Sequence, residues 1–249
     1  MDIIEKTENT NRHPWELSRC DCILRVICEH LDQDRYNFIF ADVGAGDKYF
    51  AQKLTFIKNT TVIAIDKQYK ELIIDEKGIL CLCDISMIKK ESVDILIMMD
   101  VIEHVEDESL FLLEVFSKVK LYGLIIMTVP AWQFLYSSHD VFLNHYRRYN
   151  RYQLRSLLKK RGVVIEQCYY FYFTLFLVRV ITKFLEKITL KNSISNKGVG
   201  NWKYGESNII TRIIYYILYF DFFINTLFNK LYIRIPGLSL LAVCRKEKN

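Results

Sequence analysis

The chain has 249 residues, of which 51% are hydrophobic and 25% are charged, and its formal net charge is +5. This composition is enough to build a sizeable core and to keep its surface soluble. The mild charge does not demand a nucleic-acid partner, although it is compatible with acidic substrates or an anionic membrane surface. The length predicts one domain that carries an insertion.

The cysteines and the N-terminus indicate the compartment. Seven cysteines are scattered along the chain, and residues 1–12 are polar, so we predict no secretory signal peptide and free, mostly buried thiols in a reducing cytoplasm. Cys20 and Cys22 are two residues apart, as are Cys81 and Cys83. Zinc ligands usually leave a wider gap. We therefore expect these cysteines to pack in the core and predict no metal site.

Apolar patterns predict helices and strands that alternate along the chain. The predicted helical segments are 15–31, 51–57, 108–119 and 151–160. The predicted strands are 38–43, 61–66, 79–83, 93–100, 122–129, 163–168 and 238–244. Continuous apolar strands between helices are typical of a parallel sheet covered on both faces. We predict an α/β fold with a doubly wound, mostly parallel, seven-stranded sheet.

Residues 171–235 form an insertion before the last predicted strand. Segments 169–190 and 209–232 are rich in Ile, Leu, Phe and Tyr, and a polar loop over 191–205 joins them. Charged residues leave no uncharged stretch of about 18 residues, so no transmembrane helix is predicted. A lid over an apolar substrate or a membrane-facing surface is the favoured interpretation. A dimer contact and ordinary packing of a helical subdomain are the alternatives.

Glycines and carboxylates follow the first three predicted strands. The first strand ends in D-V-G-A-G at 42–46, where glycines permit a tight turn and close approach to a ligand. Asp66 ends the second strand, where a carboxylate can accept hydrogen bonds from both ribose hydroxyls. Asp84 closes the third strand and can accept from an adenine amino group. Ligands of such sheets bind at these carboxyl ends of the strands.

The same region distinguishes between cofactors. A dinucleotide site prefers a third glycine near its helix N-terminus, where this chain has Tyr49. Asp42 would repel a pyrophosphate but suits a cationic sulfonium or ammonium. A nicotinamide-dependent oxidoreductase is therefore the disfavoured alternative.

Three segments, taken as a set, resemble class I S-adenosylmethionine-dependent methyltransferases. They are D-V-G-A-G at 42–46, D-V-I-E-H-V at 100–105 and L-Y-G-L-I-I-M-T-V-P at 121–130. The resemblance implies a Rossmann-like core over 38–170 and 236–249, with S-adenosyl-L-methionine as cofactor. It assigns the following residues to the cofactor: Trp15, Arg19, Asp42, Gly44, Gly46, Asp66, Lys67, Asp84, Ile85, Asp100, Val101 and His104.

A narrower resemblance is carried by H-P-W-E-L-S-R at 13–19, by the H-D and H-Y-R-R-Y groups within 139–149, and by 236–243. These segments are similar to a bacterial branch related to ubiquinone-pathway O-methyltransferases. The branch implies an N-terminal helical lid over 1–37, with Trp15 and Arg19 near the methionine end of the cofactor. Lys48 departs from the family, because it stands at the third glycine of the first motif.

Candidate catalytic residues follow the fourth and fifth predicted strands. Methyl transfer to a hydroxyl benefits from a general base, and histidine suits that task near neutral pH. His104, His139 and His145 all lie at the same predicted sheet edge. The alternative for each is a structural histidine bonded to backbone.

A basic and aromatic patch lies beside these histidines. Tyr146, Arg147 and Arg148 can hold a phosphate or carboxylate of a substrate, because guanidinium groups match both. The alternative is a set of salt bridges that anchors the loop. Asp140 is predicted to contact substrate, to orient an imidazole or to cap a helix. No basic stripe accompanies the patch, which disfavours RNA.

These observations predict an S-adenosylmethionine-dependent methyltransferase that acts on oxygen of a small amphipathic or lipid-linked acceptor. We expect it in the cytoplasm or at the inner face of the membrane, and leave membrane contact and a homodimer open. The loop after the fifth strand and the inserted helices are expected to form opposite walls of one pocket, since the sixth strand is expected beside the fifth. A catalytically silent methyltransferase-like binding module is the second alternative, which Lys48 leaves open.

Overall fold

The computed structural model describes residues 11–31, 37–189 and 202–247. The helices are α1 (Pro14–His30), α2 (Tyr49–Leu54), α3 (Glu108–Ser117), α4 (Ser138–Phe142), α5 (Arg151–Lys159), α6 (Phe173–Thr189) and α7 (Ile209–Lys230). The strands are β1 (Phe38–Val43), β2 (Thr60–Ile65), β3 (Ile73–Ile74), β4 (Leu80–Leu82), β5 (Val93–Met99), β6 (Val119–Pro130), β7 (Val163–Phe171) and β8 (Ser239–Lys246).

The strands form one mixed, mostly parallel sheet in the order β3-β4-β2-β1-β5-β6-β8-β7. The predicted α/β class and the seven predicted strands are confirmed, and β3 is an additional eighth strand. It has only two residues, which is too short for an alternating or continuous apolar pattern to be recognised in the sequence. β3 is antiparallel to β4, and β8 is antiparallel to both β6 and β7.

The place of β8 corrects one expectation. β7, the predicted sixth strand, does not lie beside β6, because β8 lies between them. The burial of the two strands gives the reason. The first six residues of β8 are buried, as in a central strand, whereas only four of the nine residues of β7 are buried, as in an edge strand. The inserted helices are therefore one strand farther from β6 than the sequence indicated.

Two hydrophobic layers cover the sheet. One face packs against α3 and α5, and its core includes Leu112, Phe116 and Leu154. The other face packs against α1, α2 and α7, and its core includes Ile23 and Phe222. α1, which lies within the segment predicted as a lid over 1–37, is therefore a core element, and residues 1–10 and 32–36 of that segment lie outside the described residues.

The insertion is helical, as predicted, with two differences. Residues 169–171 continue β7 before α6 begins at Phe173. Of the polar loop predicted over 191–205, residues 191–201 lie outside the described residues. α7 has 22 residues, and 18 consecutive residues of it have a mean hydropathy of 1.2, so it is long and apolar enough to cross a membrane by length and composition alone.

Candidate active site

A cleft of about 760 Å³ opens at the carboxyl ends of β1, β2, β4, β5 and β6. The parallel strands all end at this edge, which explains why residues far apart in sequence meet there. The predicted residues on its walls are Trp15, Arg19, Gly44, Gly46, Asp66, Lys67, Asp84, Ile85, Asp100, Val101, His104, His139, His145, Tyr146 and Arg148. Asp42, Asp140 and Arg147 do not line it.

The glycine turn after β1 forms the floor at one end of the cleft. Gly44 has a φ of +75°, and its amide donates to the Ile65 carbonyl at 2.8 Å. A Cβ at Gly44 would lie 2.6 Å from the side chain of Val101. Only glycine fits this turn without displacing its neighbour, and the bare backbone leaves room for a ligand.

Two strand-end carboxylates stand beside this turn. Asp66 accepts from the amide of Gly46 at 2.8 Å and from the amide of Gln68 at 2.9 Å. Each carboxylate oxygen retains a further lone pair for a ligand hydroxyl. Asp84 accepts from the Ser86 amide at 2.6 Å. Hydrogen bonds from the side chain and the backbone of Ser86 lower the pKa of the Asp84 carboxyl.

Helix α1 supplies the opposite wall. Its Arg19 forms a partly buried ion pair with Asp100, at the end of β5, and the Arg19 guanidinium lies 4.1 Å from the Trp15 ring centroid. Thr128 donates to the same Asp100 at 3.0 Å. The indole nitrogen of Trp15 is buried and has no hydrogen-bond partner among the described residues. A ligand carboxylate or water in the cleft is the natural acceptor for this N–H.

Lys48, the departure from the family pattern, keeps the backbone shape of a glycine. Its φ of 66° lies in the left-handed region, which glycine adopts without cost and other residues adopt at about 1 kcal/mol or more. Its ammonium pairs with Asp75 at 3.1 Å and does not line the cleft. The loop is therefore not blocked by the lysine side chain.

Asp42 lies beneath the cleft rather than on its wall. Its side chain is buried, one carboxylate oxygen has no hydrogen-bond partner among the described residues, and burial raises its pKa to about 7. The amide of Ala51 in α2 donates to the Asp42 carboxylate, so this side chain is turned to the helix and does not make the predicted contact with the cofactor in the cleft.

The other end of the cleft is organised by the buried carboxylate of Asp140. It accepts from His145 Nδ1 at 2.9 Å and from Arg148 Nε at 2.7 Å, and it closes a capping box with Ser137 at the start of α4. These partners hold the pKa of Asp140 well below its ordinary value, although burial opposes the effect. Asp140 thus orients an imidazole and caps a helix, and the predicted substrate contact is replaced by these two roles.

The three candidate histidines are brought to this end. The rings of His104 and His145 pack edge to face with centroids 4.5 Å apart. Burial lowers the pKa of His139, which keeps its imidazole neutral near pH 7. Beside them, Glu103 is fully buried, neither of its oxygens has a hydrogen-bond partner among the described residues, and burial raises its pKa well above the ordinary value.

Glu103, His104 and His145 offer ligand atoms that all lie within 4.8 Å of one another. Two imidazoles and a carboxylate can share protons, and they are also a donor set that divalent cations use. The prediction of no metal site was based on cysteine spacing and did not consider this trio. Neither the proton-sharing nor the cation-binding role could be read from the sequence, because His145 is remote from the other two.

Arg147 forms salt-bridge contacts that anchor its loop to the domain, which was the alternative to substrate binding. Its guanidinium donates to Glu108 at 2.7 Å and to the Glu106 carbonyl at 2.8 Å, and Tyr149 donates to the same Glu108 carboxylate. The predicted contact with a substrate anion is therefore corrected for Arg147. Arg148 lines the cleft, but its guanidinium is committed to Asp140 and the Ala131 carbonyl.

Several wall residues were missed. Leu175 near the start of α6 and Leu238 just before β8 line the cleft, and so do Val105, Phe111 and Leu143. No sequence signal marks these apolar positions, because core residues look the same. His13 and Glu16, also on the wall, lie inside the H-P-W-E segment and were within reach of the sequence argument.

No model of a protein family matches the sequence, and no curated protein matches it. Solved structures do resemble its fold. An S-adenosylmethionine-dependent methyltransferase from Archaeoglobus fulgidus has a TM-score of 0.53 and 16% identity, over 93% of this chain and 94% of that one. Phosphoethanolamine N-methyltransferase 2 of Haemonchus contortus, with S-adenosyl-L-methionine bound, has a TM-score of 0.56 and 14% identity. This chain spans 55% of the Haemonchus protein, which covers 98% of this chain.

The [4+2]-cyclase SpnF is similar too, with a TM-score of 0.55 and 13% identity, over 98% of this chain and 87% of that one. Identities this low establish a shared fold and leave chemistry to the site, as the cyclase illustrates. The narrower resemblance to ubiquinone-pathway O-methyltransferases stays a prediction. The chain has the fold of class I S-adenosylmethionine-dependent methyltransferases.

Proposed function

We propose that the protein is an S-adenosylmethionine-dependent methyltransferase that methylates a hydroxyl oxygen of a small amphipathic acceptor. The observation that carries the proposal is that one cleft joins a nucleoside-type end, with Gly44 and Asp66, to an imidazole oriented by a buried carboxylate. An imidazole oriented in this way can remove the proton of a hydroxyl nucleophile, a task that a module that only binds does not require.

The cleft fits this cofactor in three respects. The turn at Gly44 leaves space that a Cβ would fill, Asp66 has lone pairs for ribose hydroxyls, and the buried Trp15 N–H can donate to the carboxylate of the methionine part. When bound, the cofactor supplies a methyl group on a positively charged sulfur. The protein has only to hold the acceptor in line and remove a proton.

His145 is the residue we assign to that proton. Asp140 accepts the Nδ1–H, which leaves Nε2 as the basic nitrogen, and the buried carboxylate stabilises the imidazolium that forms. His104 and His139 line the same end and contact the acceptor in this proposal. The apolar side chains of Val105, Phe111 and Leu175 favour an acceptor with an apolar body.

Calorimetric titration of the full chain tests the cofactor. We expect S-adenosylmethionine and S-adenosylhomocysteine to bind and NAD not to bind. Binding of NAD alone would instead support the oxidoreductase alternative.

Methyl transfer is then measured on a panel of phenols and lipid-linked hydroxyl compounds, with and without EDTA. We expect turnover of an apolar hydroxyl acceptor that EDTA leaves unchanged, because the imidazole is the base. Cofactor binding without turnover of any acceptor would favour the silent binding module.

A further inference from the structure

Helix α7 carries a continuous exposed stripe of large apolar residues. Its members recur at alternating intervals of three and four, so that they share one side of the helix: Ile210, Ile213, Ile217, Phe220, Ile224, Leu227 and, just past the helix end, Leu231. Each has between 41% and 60% of its surface exposed. A soluble protein rarely leaves so long an apolar row in water, and such rows mark interaction sites.

The opposite side of α7 is fixed to the core. Phe222 packs against Phe171 of β7 with ring centroids 5.4 Å apart, and the Tyr169 and Thr226 hydroxyls are 3.1 Å apart. Tyr215 donates to Asp21 of α1 at 2.7 Å. Because α7 is held along its length, its stripe is presented outward as a flat face, and the helix does not need to leave the core to use it.

The face contains a groove of about 560 Å³ between the start of α6 and α7. Its apolar walls include Phe173, Ile217 and Phe220. Asp221 lies at its base, where the carboxylate accepts from the amides of Phe173 and Thr174, at 3.0 and 2.6 Å, and so begins α6. A groove of this size and lining accommodates a hydrocarbon chain.

The net charge of the insertion indicates which partner the apolar face of α7 binds. Residues 171–235 contain nine lysines and arginines but only three acidic residues, a net charge of +6. The whole chain has a net charge of +5, so the remaining residues carry −1. The net positive charge of the protein is thus concentrated in the segment with the exposed apolar face. Anionic lipid headgroups complement this combination.

A second copy of the chain is a less suitable partner for this face than an anionic bilayer. Pairing two such faces would bring together two segments that each carry a net charge of +6, and like charges disfavour such a pairing. Tyr216 and Ile209, both exposed, also widen the stripe beyond the narrow seam that paired helices use.

The insertion also connects this face to the catalytic cleft. β7 ends and β8 begins at the edge of the sheet where the cleft opens, and Leu175 of α6 and Leu238 line it. A bilayer on the face would lie close to the acceptor end of the cleft.

We propose that α7 docks flat on an anionic lipid bilayer, with its apolar stripe in the headgroup–acyl boundary. The exposed cations Lys203, Arg212, Lys230 and Arg234 then contact the phosphates. The bilayer is then the surface from which a lipid-like acceptor reaches the cleft. This last step rests on the proposed methyltransferase function, whereas docking does not.

Co-sedimentation of the full chain with vesicles tests the docking. Vesicles of phosphatidylcholine with one third phosphatidylglycerol are compared with pure phosphatidylcholine, at low and at raised salt. We expect binding to the anionic vesicles that weakens with salt, and at least tenfold weaker binding to neutral vesicles. Phe220→Glu should reduce binding to the anionic vesicles at least tenfold.

Leu110→Glu is the matched control. Leu110 is similarly exposed, at 65%, but lies on α3, on the other face of the sheet. It should bind vesicles like wild type. Arg212→Glu, an exposed cation of α7, should weaken binding by about fivefold or more.

Three results would overturn the proposal: no sedimentation with either vesicle, equal losses for Phe220→Glu and Leu110→Glu, or a stable dimer in sedimentation velocity that Phe220→Glu dissociates. S-adenosylhomocysteine binding is measured on every variant. Cofactor binding depends on the cleft and not on the apolar face of α7. If a protein that still binds S-adenosylhomocysteine fails to bind vesicles, the docking proposal is contradicted and the proposed methyltransferase function is not.

Discussion

The two ends of the cleft are built in different ways. At the cofactor end, the essential groups are backbone turns and single carboxylates that follow β1, β2 and β4 directly, such as Gly44 and Asp66. At the acceptor end, side chains from the segment between β6 and α5 interlock around Asp140 and meet Glu103 and His104 from another strand end. Short local sequences thus build the first end, and tertiary packing builds the second.

This difference predicts separable defects. Changes at the acceptor end should alter turnover and leave cofactor affinity unchanged, and changes at the cofactor end should do the reverse. Variants at His145 and Asp66 test this separation, and variants at Asp42 and Arg147 test two positions that lie outside the cleft.

His145→Ala should lower kcat by about 10²- to 10⁴-fold, because it removes the proposed general base. S-adenosylhomocysteine affinity should stay within about twofold of wild type. Asp140→Asn should lower kcat as well, since an amide cannot stabilise the imidazolium. Rates and calorimetric titrations on the same samples measure both effects.

The control is His30→Ala, because His30 lies at the far end of α1 and does not line the cleft. Wild-type turnover by His145→Ala, or an equal loss in His30→Ala, would falsify the assignment.

Asp42→Asn should change the pH dependence of folding. Between about pH 4 and pH 7 the unfolded carboxyl loses its proton while the buried one keeps it, since its pKa is raised to about 7. The folded state therefore binds more protons, and the free energy of unfolding falls as pH rises through this window, by up to about 4 kcal/mol. The asparagine variant should lack this fall and be more stable than wild type at pH 7.5. Urea unfolding from pH 4 to 8 measures it, and parallel curves for the two proteins would contradict the prediction.

Asp66→Ala should weaken binding of S-adenosylhomocysteine by about tenfold or more, because charge-assisted hydrogen bonds to ribose hydroxyls contribute about 1.5–3 kcal/mol. Asp107→Ala is the control, since that carboxylate caps α3 outside the cleft. Calorimetric titration of the two variants decides the matter. Unchanged affinity in Asp66→Ala would remove the ribose assignment.

Arg147→Ala should have the smallest effect. Its ion pair with Glu108 is partly exposed, so its loss should lower the free energy of unfolding by about 1 kcal/mol or less. The Michaelis constant for the acceptor should not change, because the guanidinium does not line the cleft. A large rise in that constant would restore the contact with substrate that the sequence suggested.

Where chemistry depends on residues adjacent in the chain, the sequence was sufficient. The glycine turn and strand-end Asp66 were located correctly on the cleft, because a strand, a turn and the next strand end are positioned by backbone geometry alone. Trp15 and Arg19 were located on the cleft as well, by the resemblance that the H-P-W-E-L-S-R segment carries. The seven longer strands were predicted for a similar reason, since continuous apolar runs need a covered sheet.

Tertiary structure decided what depends on distant partners. Arg147 and Arg148 are adjacent and chemically identical. Arg147 nevertheless pairs with Glu108 outside the cleft, whereas Arg148 lines the cleft and pairs with the buried Asp140. Asp140 could be a substrate contact or an internal anchor until His145 and Ser137 were seen around it. The position of β8 between β6 and β7 likewise follows from which strand has the more apolar surface to bury. Such choices minimise unpaired polar groups and exposed apolar area over the whole molecule, and no local sequence pattern encodes them.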